Sequence, residues 1–264
     1  MISARNLSLT FGQGTPLENP ALRGLSLTVN PGEFVTVIGS NGAGKSTFLN
    51  ALAGEVIVDS GTIEVDNRDV TRLPTHKRAG NVARVFQNPL AGTCEGLTIE
   101  ENLALAIKRG QRRGLTAAVK SRYREQFRAS LASLKLGLEN RLGDKMGLLS
   151  GGQRQAVSLL MASLTPSSIL LLDEHTAALD PKTAVFVLDL TRTIIAEQNL
   201  TALMVTHSMK QALEVGSRTV MLHQGQVVFD IAGKEREGLT VPDLLGLFEK
   251  QRGLEVDDDS LLLG

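Results

Sequence analysis

Apolar and polar residues alternate along residues 2–11 and 25–29, with the period of two that is typical of half-buried β-strands. Three later stretches are short and almost wholly apolar, which indicates strands that are covered on both faces. They are FVTVIG (34–39), SILLLD (168–173) and TALMVTH (201–207). Stretches with helical spacing separate them, so we expect an α/β fold in which helices cover a parallel sheet.

A long block between these strands departs from the alternation. Helical spacing dominates residues 98–136 and returns at 150–163, with few strand signals. The pattern predicts an inserted helical subdomain at about 88–163. We expect a single domain over residues 1–245 and a short, frayed tail at 246–264.

Composition narrows the class of protein. The 264 residues contain 28 Lys and Arg against 28 Asp and Glu, so no net charge draws the chain to nucleic acid, and no nucleic acid partner is expected. Cys94 is the single cysteine, which rules out an internal disulfide and fits a reducing cytosol. The N-terminus lacks the apolar core of a signal peptide, and no apolar run approaches the ~18 to 20 residues that cross a bilayer. A role at a membrane would need spans from another chain.

A glycine-rich segment lies between the apolar strand FVTVIG and a helix, and it matches the G-x-x-x-x-G-K-[ST] pattern of phosphate-binding loops. Its residues are Gly39, Ser40, Asn41, Gly42, Ala43, Gly44, Lys45, Ser46 and Thr47. Backbone N–H groups and the positive end of the helix dipole suit phosphate oxygens. Lys45 would reach the outer phosphates, and the Ser46 hydroxyl would coordinate Mg²⁺.

Two carboxylates follow the apolar strand at 168–173. Asp173 ends that strand, at the edge of the sheet where α/β proteins bind ligands, and is expected to hold Mg²⁺ through water. Glu174 points another way and could polarise a water for attack on a phosphate. The alternative interpretation is a pair of solvated charges at the end of a strand.

The stretch LLSGGQRQAVSLLMA (148–162) places two glycines where a helix begins, although glycine costs about 1 kcal/mol against alanine inside a helix. Either Ser150 caps the helix and the glycines make a turn, or the backbone must approach an anion closely.

The motifs GSNGAGKST, LSGGQ and ILLLDEHTAALD, in this order, resemble those of the ATP-binding cassette (ABC) ATPases. The resemblance covers roughly residues 2–230. It implies a P-loop NTPase core of α/β class with an N-terminal antiparallel β subdomain and an inserted α-helical subdomain. It also implies that ATP and Mg²⁺ are bound.

In this family two cassettes pack head to tail, and the signature of one binds the ATP that the other holds. The resemblance therefore assigns Ser150, Gly151, Gly152 and Gln153 to the nucleotide of a second, identical or related subunit. A helix-capping role for Ser150 is compatible with that assignment.

Four further residues match family positions, one at a time. Phe11 matches the aromatic residue that stacks on adenine, although it could instead pack within the N-terminal sheet. Gln87 matches the glutamine that touches Mg²⁺ or water. Asp180 matches an aspartate that crosses the dimer interface, and it is also a suitable cap for the helix that begins at Pro181. His207 matches the histidine that contacts the γ-phosphate.

The resemblance implies hydrolysis by Glu174, Lys45, His207 and Gln87, with Ser46, Gln87 and Asp173 at the metal. One departure is His175, where many members have proline. The family also implies a peripheral subunit on the cytoplasmic face of the cell membrane, working with a permease and a solute-binding protein. Import of amino acids or similar solutes is expected. The alternative is a soluble ABC ATPase that acts on nucleic acid, ribosomes or cluster assembly.

Overall fold

The computed structural model describes residues 1–111, 119 and 121–252. The strands are β1 (Ile2–Phe11), β2 (Asn19–Val29), β3 (Phe34–Ile38), β4 (Ser60–Val65), β5 (Arg68–Asp69), β6 (Val82–Val85), β7 (Ile169–Asp173), β8 (Ala202–Val205), β9 (Arg218–His223) and β10 (Gln226–Ala232). The helices are α1 (Lys45–Ala53), α2 (Thr75–Arg78), α3 (Ile99–Ala106), α4 (Ser121–Ala132), α5 (Gly151–Ser163), α6 (Pro181–Gln198), α7 (Met209–Glu214) and α8 (Val241–Arg252).

The strands form two sheets. Four N-terminal strands form an antiparallel sheet in the order β2-β1-β4-β5, as the alternating pattern and the resemblance predict. The second sheet has the order β10-β9-β3-β8-β7-β6, in which every pairing except that of β10 with β9 is parallel. The parallel strands all point their carboxyl ends at one edge, which is where the predicted site residues follow them.

The central sheet is buried on both faces, as its apolar strands predict. Along β7, Ile169 and Leu171 pack into a core that includes α1 and the antiparallel sheet. Leu170 and Leu172 point the other way, into a core with residues of α5 and α6. Alternation between two buried faces explains why this strand reads as a continuous apolar run rather than a polar-apolar alternation.

The inserted block has a hydrophobic cluster of its own, formed by residues of α3, α4 and α5 and by the segment between α4 and α5. Thr98 and Glu101 form a capping box at the start of α3, and Ser150 and Gln153 form another at the start of α5. The block therefore supports one face of the signature helix on its own cluster, while Leu159 and Ala162 of the same helix pack into the core of the central sheet.

The C-terminal prediction needs a correction. A tail boundary at residue 246 falls inside α8, which runs from Val241 to Arg252. Leu244 and Phe248, four residues apart, are buried against residues of α7, β9 and β10. That apolar pair ties the helix to the sheet, so the ordered domain extends past residue 245. Residues 253–264 lie outside the described part of the chain.

Helices long and apolar enough to cross a membrane are not found among the residues that the structure describes.

Candidate functional site

The phosphate loop joins β3 to α1, in the strand–loop–helix context that the motif requires. Gly39 has φ of 148°, and a Cβ there would lie 2.2 Å from the carbonyl oxygen of Leu222, so no larger residue fits. Helix α1 starts at Lys45 without a side-chain cap. Its first N–H groups have no acceptor within the helix and are available to an anion.

Lys45 is buried, and its ammonium group is held by the loop that precedes it. Lys45 Nζ donates to the carbonyl oxygens of Gly39 at 2.5 Å and Ser40 at 3.0 Å. It lies 3.5 Å from Nδ1 of His207. Burial lowers the pKa of Lys45, and the nearby charges of Glu174 and Asp173 raise it in part. The ammonium is thus placed at the loop by groups of the same chain.

Glu174 and His207 contact each other in the cavity beside the phosphate loop. His207 Nε2 lies 2.6 Å from Oε1 of Glu174. Since the ammonium of Lys45 faces Nδ1, the hydrogen-bond network favours a proton on Nε2 of His207. Burial is the largest influence on the pKa of Glu174 and raises it, although His207 and Lys45 act in the opposite direction. A carboxylate with a raised pKa is a better general base.

The backbone of Glu174 has φ of 44°, in the left-handed region that non-glycine residues rarely adopt. Its N–H donates to the carbonyl of Val205 at 3.0 Å, and its carbonyl accepts from Ala177 at 2.9 Å. Such a conformation costs about 1–3 kcal/mol and persists where neighbouring structure holds it, commonly at functional sites. The turn directs Glu174 away from Asp173 and towards His207.

A cavity of about 440 Å³ brings several predicted residues together. It is lined by the loop residues Asn41–Thr47 together with Phe11, Gln87, Glu174 and His207. Phe11 ends β1 and is 43% exposed, so it belongs to the antiparallel sheet and also presents part of its ring to the cavity. Gln87 lies two residues beyond the end of β6 rather than within the strand, and it is exposed. Stacking of Phe11 on adenine and contact of Gln87 with a metal stay predictions.

Asp173 forms an ion pair with a residue that the sequence motifs do not identify. Arg84, on β6, donates to Oδ2 of Asp173 at 2.5 Å. The same guanidinium lies 2.8 Å from Oε1 of Glu55 and 2.8 Å from Oδ1 of Asn50. Its signal in the sequence is an arginine inside the apolar stretch VARVF (82–86). The two carboxylates are therefore not simply solvated charges at a strand end.

The signature residues lie apart from that cavity, at the start of α5. Ser150 Oγ accepts a hydrogen bond from the N–H of Gln153, so the capping interpretation is confirmed. Gly152 is buried, and a Cβ there would lie 2.1 Å from Cγ2 of Thr183. Asp180 caps α6 by accepting from the N–H of Thr183. The glycine thus serves packing within the chain, whatever it also binds.

His175, the departure from the family pattern, is buried beside Glu174. Its Nε2 lies 2.9 Å from Oγ1 of Thr191 on α6, and that hydroxyl donates to the carbonyl of Val187. The hydroxyl therefore accepts a hydrogen bond from the N–H at Nε2, while Nδ1 is buried without a hydrogen-bond partner in the described structure. Burial lowers the pKa of His175 to about 4. The ring links the Glu174 turn to α6.

A buried lysine inside a glycine-rich loop, facing two carboxylates at the edge of a parallel sheet, defines a P-loop nucleoside triphosphatase. The chain belongs to the ABC transporter family, whose sequence profile matches residues 22–177. It is an ATP-binding, ATP-hydrolysing subunit of that family. The match includes the phosphate loop, the signature and both carboxylates, and it ends before Asp180 and His207.

Similar proteins extend the comparison over most of the chain. A tyrosine transport ATP-binding protein of Clostridioides difficile is 45% identical over 249 residues, which are 94% of this chain and 99% of that protein. A methionine import ATP-binding protein of Caulobacter vibrioides is 36% identical, over 89% of this chain and 68% of its own length. A thiamine import ATP-binding protein of Shigella flexneri is 35% identical, over 81% and 87%.

A solved structure has the same fold. It is a dimeric ATP-binding cassette in a post-hydrolysis state with bound ADP and phosphate. It superposes with a TM-score of 0.74 at 29% sequence identity and covers 88% of this chain and 98% of its own. The predicted α/β ABC ATPase fold is therefore confirmed.

Proposed function

We propose that this chain is the Mg²⁺-dependent ATPase of an importer for an amino acid or a similar small solute. It would pair with a second copy of itself and drive a separate membrane permease. The main support for this proposal is the 45% sequence identity to a tyrosine transport ATP-binding protein over nearly the full length of both chains. Cassettes for methionine and thiamine import are less similar and keep the solute class open.

The geometry suits hydrolysis at the γ-phosphate. The loop N–H groups, the N-terminus of α1 and the ammonium of Lys45 would bind phosphate oxygens. Glu174, with its raised pKa, would take a proton from the attacking water. His207 holds the carboxylate of Glu174 in place through its 2.6 Å contact. Assignment of these roles to Glu174, His207, Lys45 and Gln87 belongs to the proposal.

The residues around the loop fit a magnesium ion. The Ser46 hydroxyl and the Gln87 amide line the cavity, and Asp173 ends the neighbouring strand, so the donors are the oxygens that Mg²⁺ prefers. Ser46, Gln87 and Asp173 would hold the ion directly or through water. When bound, Mg²⁺ supplies charge neutralisation for the phosphates.

A second subunit would complete the site. Ser150, Gly151 and Asp180 are exposed and do not line the cavity of their own chain. In a head-to-tail homodimer, Ser150 to Gln153 of one copy would face the ATP on the loop of the other. The dimeric cassette with bound ADP and phosphate supports such an arrangement.

A groove of about 670 Å³ would receive the permease. It lies between the central sheet and the helical block, and its walls include Phe86, Cys94, Leu105, Arg109 and Met161. We propose that a cytoplasmic helix of the permease docks there, near the segment 88–106. The cassette would then lie peripherally on the cytoplasmic face of the membrane, and a solute-binding protein would serve the other side.

The first experiment is a pull-down of tagged Glu174→Gln protein from detergent-solubilised native membranes with ATP and Mg²⁺. Recovery of a permease encoded beside a solute-binding protein would support the proposal and identify the solute class. Recovery of ribosomes, nucleic acid or assembly factors alone would overturn the transport role.

A pair of surface variants tests the groove. Leu105→Asp places a charge on its wall and is expected to reduce recovery of the permease, because the carboxylate would be desolvated on docking. Ile57→Asp alters an exposed apolar residue outside the groove and serves as the matched control. Equal recovery with both variants would argue against docking in this groove.

A further inference from the structure

Arg84 occupies an unusual place for a charged residue. It lies on β6 between Ala83 and Val85, both buried, and its own side chain is only 10% exposed. Its guanidinium is in cation–π contact with Phe86, 4.7 Å from the ring centroid. A guanidinium taken this far out of water needs acceptors for its charge, and their identity decides what the residue does.

The acceptors lie on the two elements that carry the metal donors. Asp173, which accepts through Oδ2, is the last residue of β7. Asn50, which accepts through Oδ1, belongs to α1, the helix that carries Lys45 and Ser46. Oε1 of Glu55 lies in the loop after α1, at 2.8 Å. Arg84 therefore connects the end of α1 to the carboxylate beside the phosphate loop, and it lies 89 residues from Asp173 in the sequence.

One cation is shared by two carboxylates in this arrangement. Asp173 is 14% exposed, so its interaction with Arg84 is weakly screened, whereas Glu55 is 36% exposed. The charge of Asp173 also acts on Lys45 and Glu174. The negative charge that Asp173 offers to a dication therefore depends on how Arg84 divides between Asp173 and Glu55.

We propose that Arg84 is a positioning residue for the metal at the nucleotide site, and that Glu55 competes with Asp173 for the guanidinium charge. Arg84 orients Asp173 by binding Oδ2 and reduces its attraction for a divalent cation. Glu55 draws part of the guanidinium charge away and limits that reduction. The inference rests on the proposed Mg²⁺-dependent function and adds a residue that the motifs do not assign.

Two single variants move metal affinity in opposite directions on this account. Arg84→Met removes the competing cation, so the Kd for the metal should fall, by about tenfold for one charge at this distance. Glu55→Gln leaves the guanidinium wholly on Asp173, so the Kd should rise. A residue that only supported the fold would move both in the same direction or neither.

The probe is Mn²⁺ titrated into the full-length chain with saturating ADP, with free Mn²⁺ followed by electron paramagnetic resonance. Arg141→Met is the matched control, because Arg141 pairs with Asp144 in the helical block at 2.7 Å. Its Kd should equal that of the wild type. Arg84→Lys keeps the charge but loses the fork of donors, so its Kd should stay near the wild-type value.

A second readout separates charge from orientation. At saturating Mg²⁺, kcat of Arg84→Met should fall by about tenfold although the metal binds more tightly, because Asp173 is no longer held. If Arg84→Met fails to fold, Glu55→Gln carries the test alone, since it retains Arg84.

Opposite shifts in Kd for the two variants support the inference. Unchanged or parallel shifts, with normal Mn²⁺ binding by the wild type, overturn it and leave the ATPase proposal intact. Absence of Mn²⁺–ADP binding by the wild type would overturn the metal assignment itself, and the inference with it.

Discussion

The phosphate loop and the signature segment are both glycine-rich entries to a helix, but the chain completes them to different degrees. Helix α1 begins at Lys45 without a side-chain cap. Its first residues line the same cavity as Glu174 and His207 of the same chain. Helix α5 begins with a capping box in which Ser150 and Gln153 satisfy one another, and these residues do not line the cavity at the phosphate loop.

This difference teaches where a ligand must come from. At α1 the free N–H groups and the buried ammonium are ready for an anion that the chain itself encloses. At α5 an anion has to approach from outside and add to a cap that is already stable alone. The comparison therefore predicts that damage at the loop acts in cis, whereas damage at the signature acts across a subunit boundary.

The largest expected effect comes from Glu174→Gln. Loss of the general base should lower kcat for ATP by about 10² to 10⁴-fold while ATP binding remains, and ATP should trap a closed dimer. Phosphate release measures the first effect, and light scattering with ATP measures the second. Glu214→Gln, an exposed change on α7, should keep the wild-type rate. A Glu174→Gln protein with near-normal turnover would contradict the assigned role.

The cis and trans roles can be separated by mixing two inactive proteins. Lys45→Ala removes the loop cation and Ser150→Arg fills the signature, so each variant alone should hydrolyse almost no ATP. A mixed dimer keeps one intact loop opposite one intact signature. Random pairing would restore up to about a quarter of the wild-type rate. Mixed dimers that form without any recovery would show that the signature does not act across the interface.

A smaller effect, on stability, is expected from His175, which links the nucleotide side to α6. Its pKa of about 4 in the folded state lies below the ordinary value of 6.5, so the unfolded chain binds the proton first as pH falls. Stability is therefore fully present above pH ~6.5 and is lost towards pH ~4, by about 3 kcal/mol. Denaturant unfolding from pH 8 to pH 4 measures this loss.

Two substitutions sharpen that measurement. His175→Gln should flatten the pH dependence, because the titrating group is gone, while His76→Gln at an exposed position should leave it unchanged. An equally steep loss of stability in His175→Gln would assign the pH dependence to other groups.

The smallest effect concerns packing beneath the signature. Gly152→Ala places a methyl group 2.1 Å from Cγ2 of Thr183 and should lower the free energy of unfolding by about 1–3 kcal/mol. Thr183→Ser removes the opposing methyl and should recover most of that loss in the double variant. Thermal or denaturant unfolding of the four proteins completes the cycle. Without recovery, Gly152 would owe its identity to nucleotide contact rather than to packing.

Local sequence patterns predicted most of the fold and the phosphate loop. The apolar runs predicted the buried strands, and Pro181 marked the start of α6. These features depend on residues close together in the chain, where periodicity acts directly. The extent of α8 was not predicted, because burial of Leu244 and Phe248 depends on a surface formed by α7, β9 and β10.

The sequence by itself determined the family, the phosphate loop, the order of the motifs and the capping residues Ser150 and Asp180. Only the tertiary structure decided that His207 holds Glu174, that Lys45 faces a histidine 162 residues away, and that Arg84 shares its charge between Asp173 and Glu55. The physical reason is the strand order β3-β8-β7-β6, which brings distant segments to one edge of the sheet. Local periodicity sets the faces of each strand but not its neighbours, so those contacts exist only once the sheet has assembled.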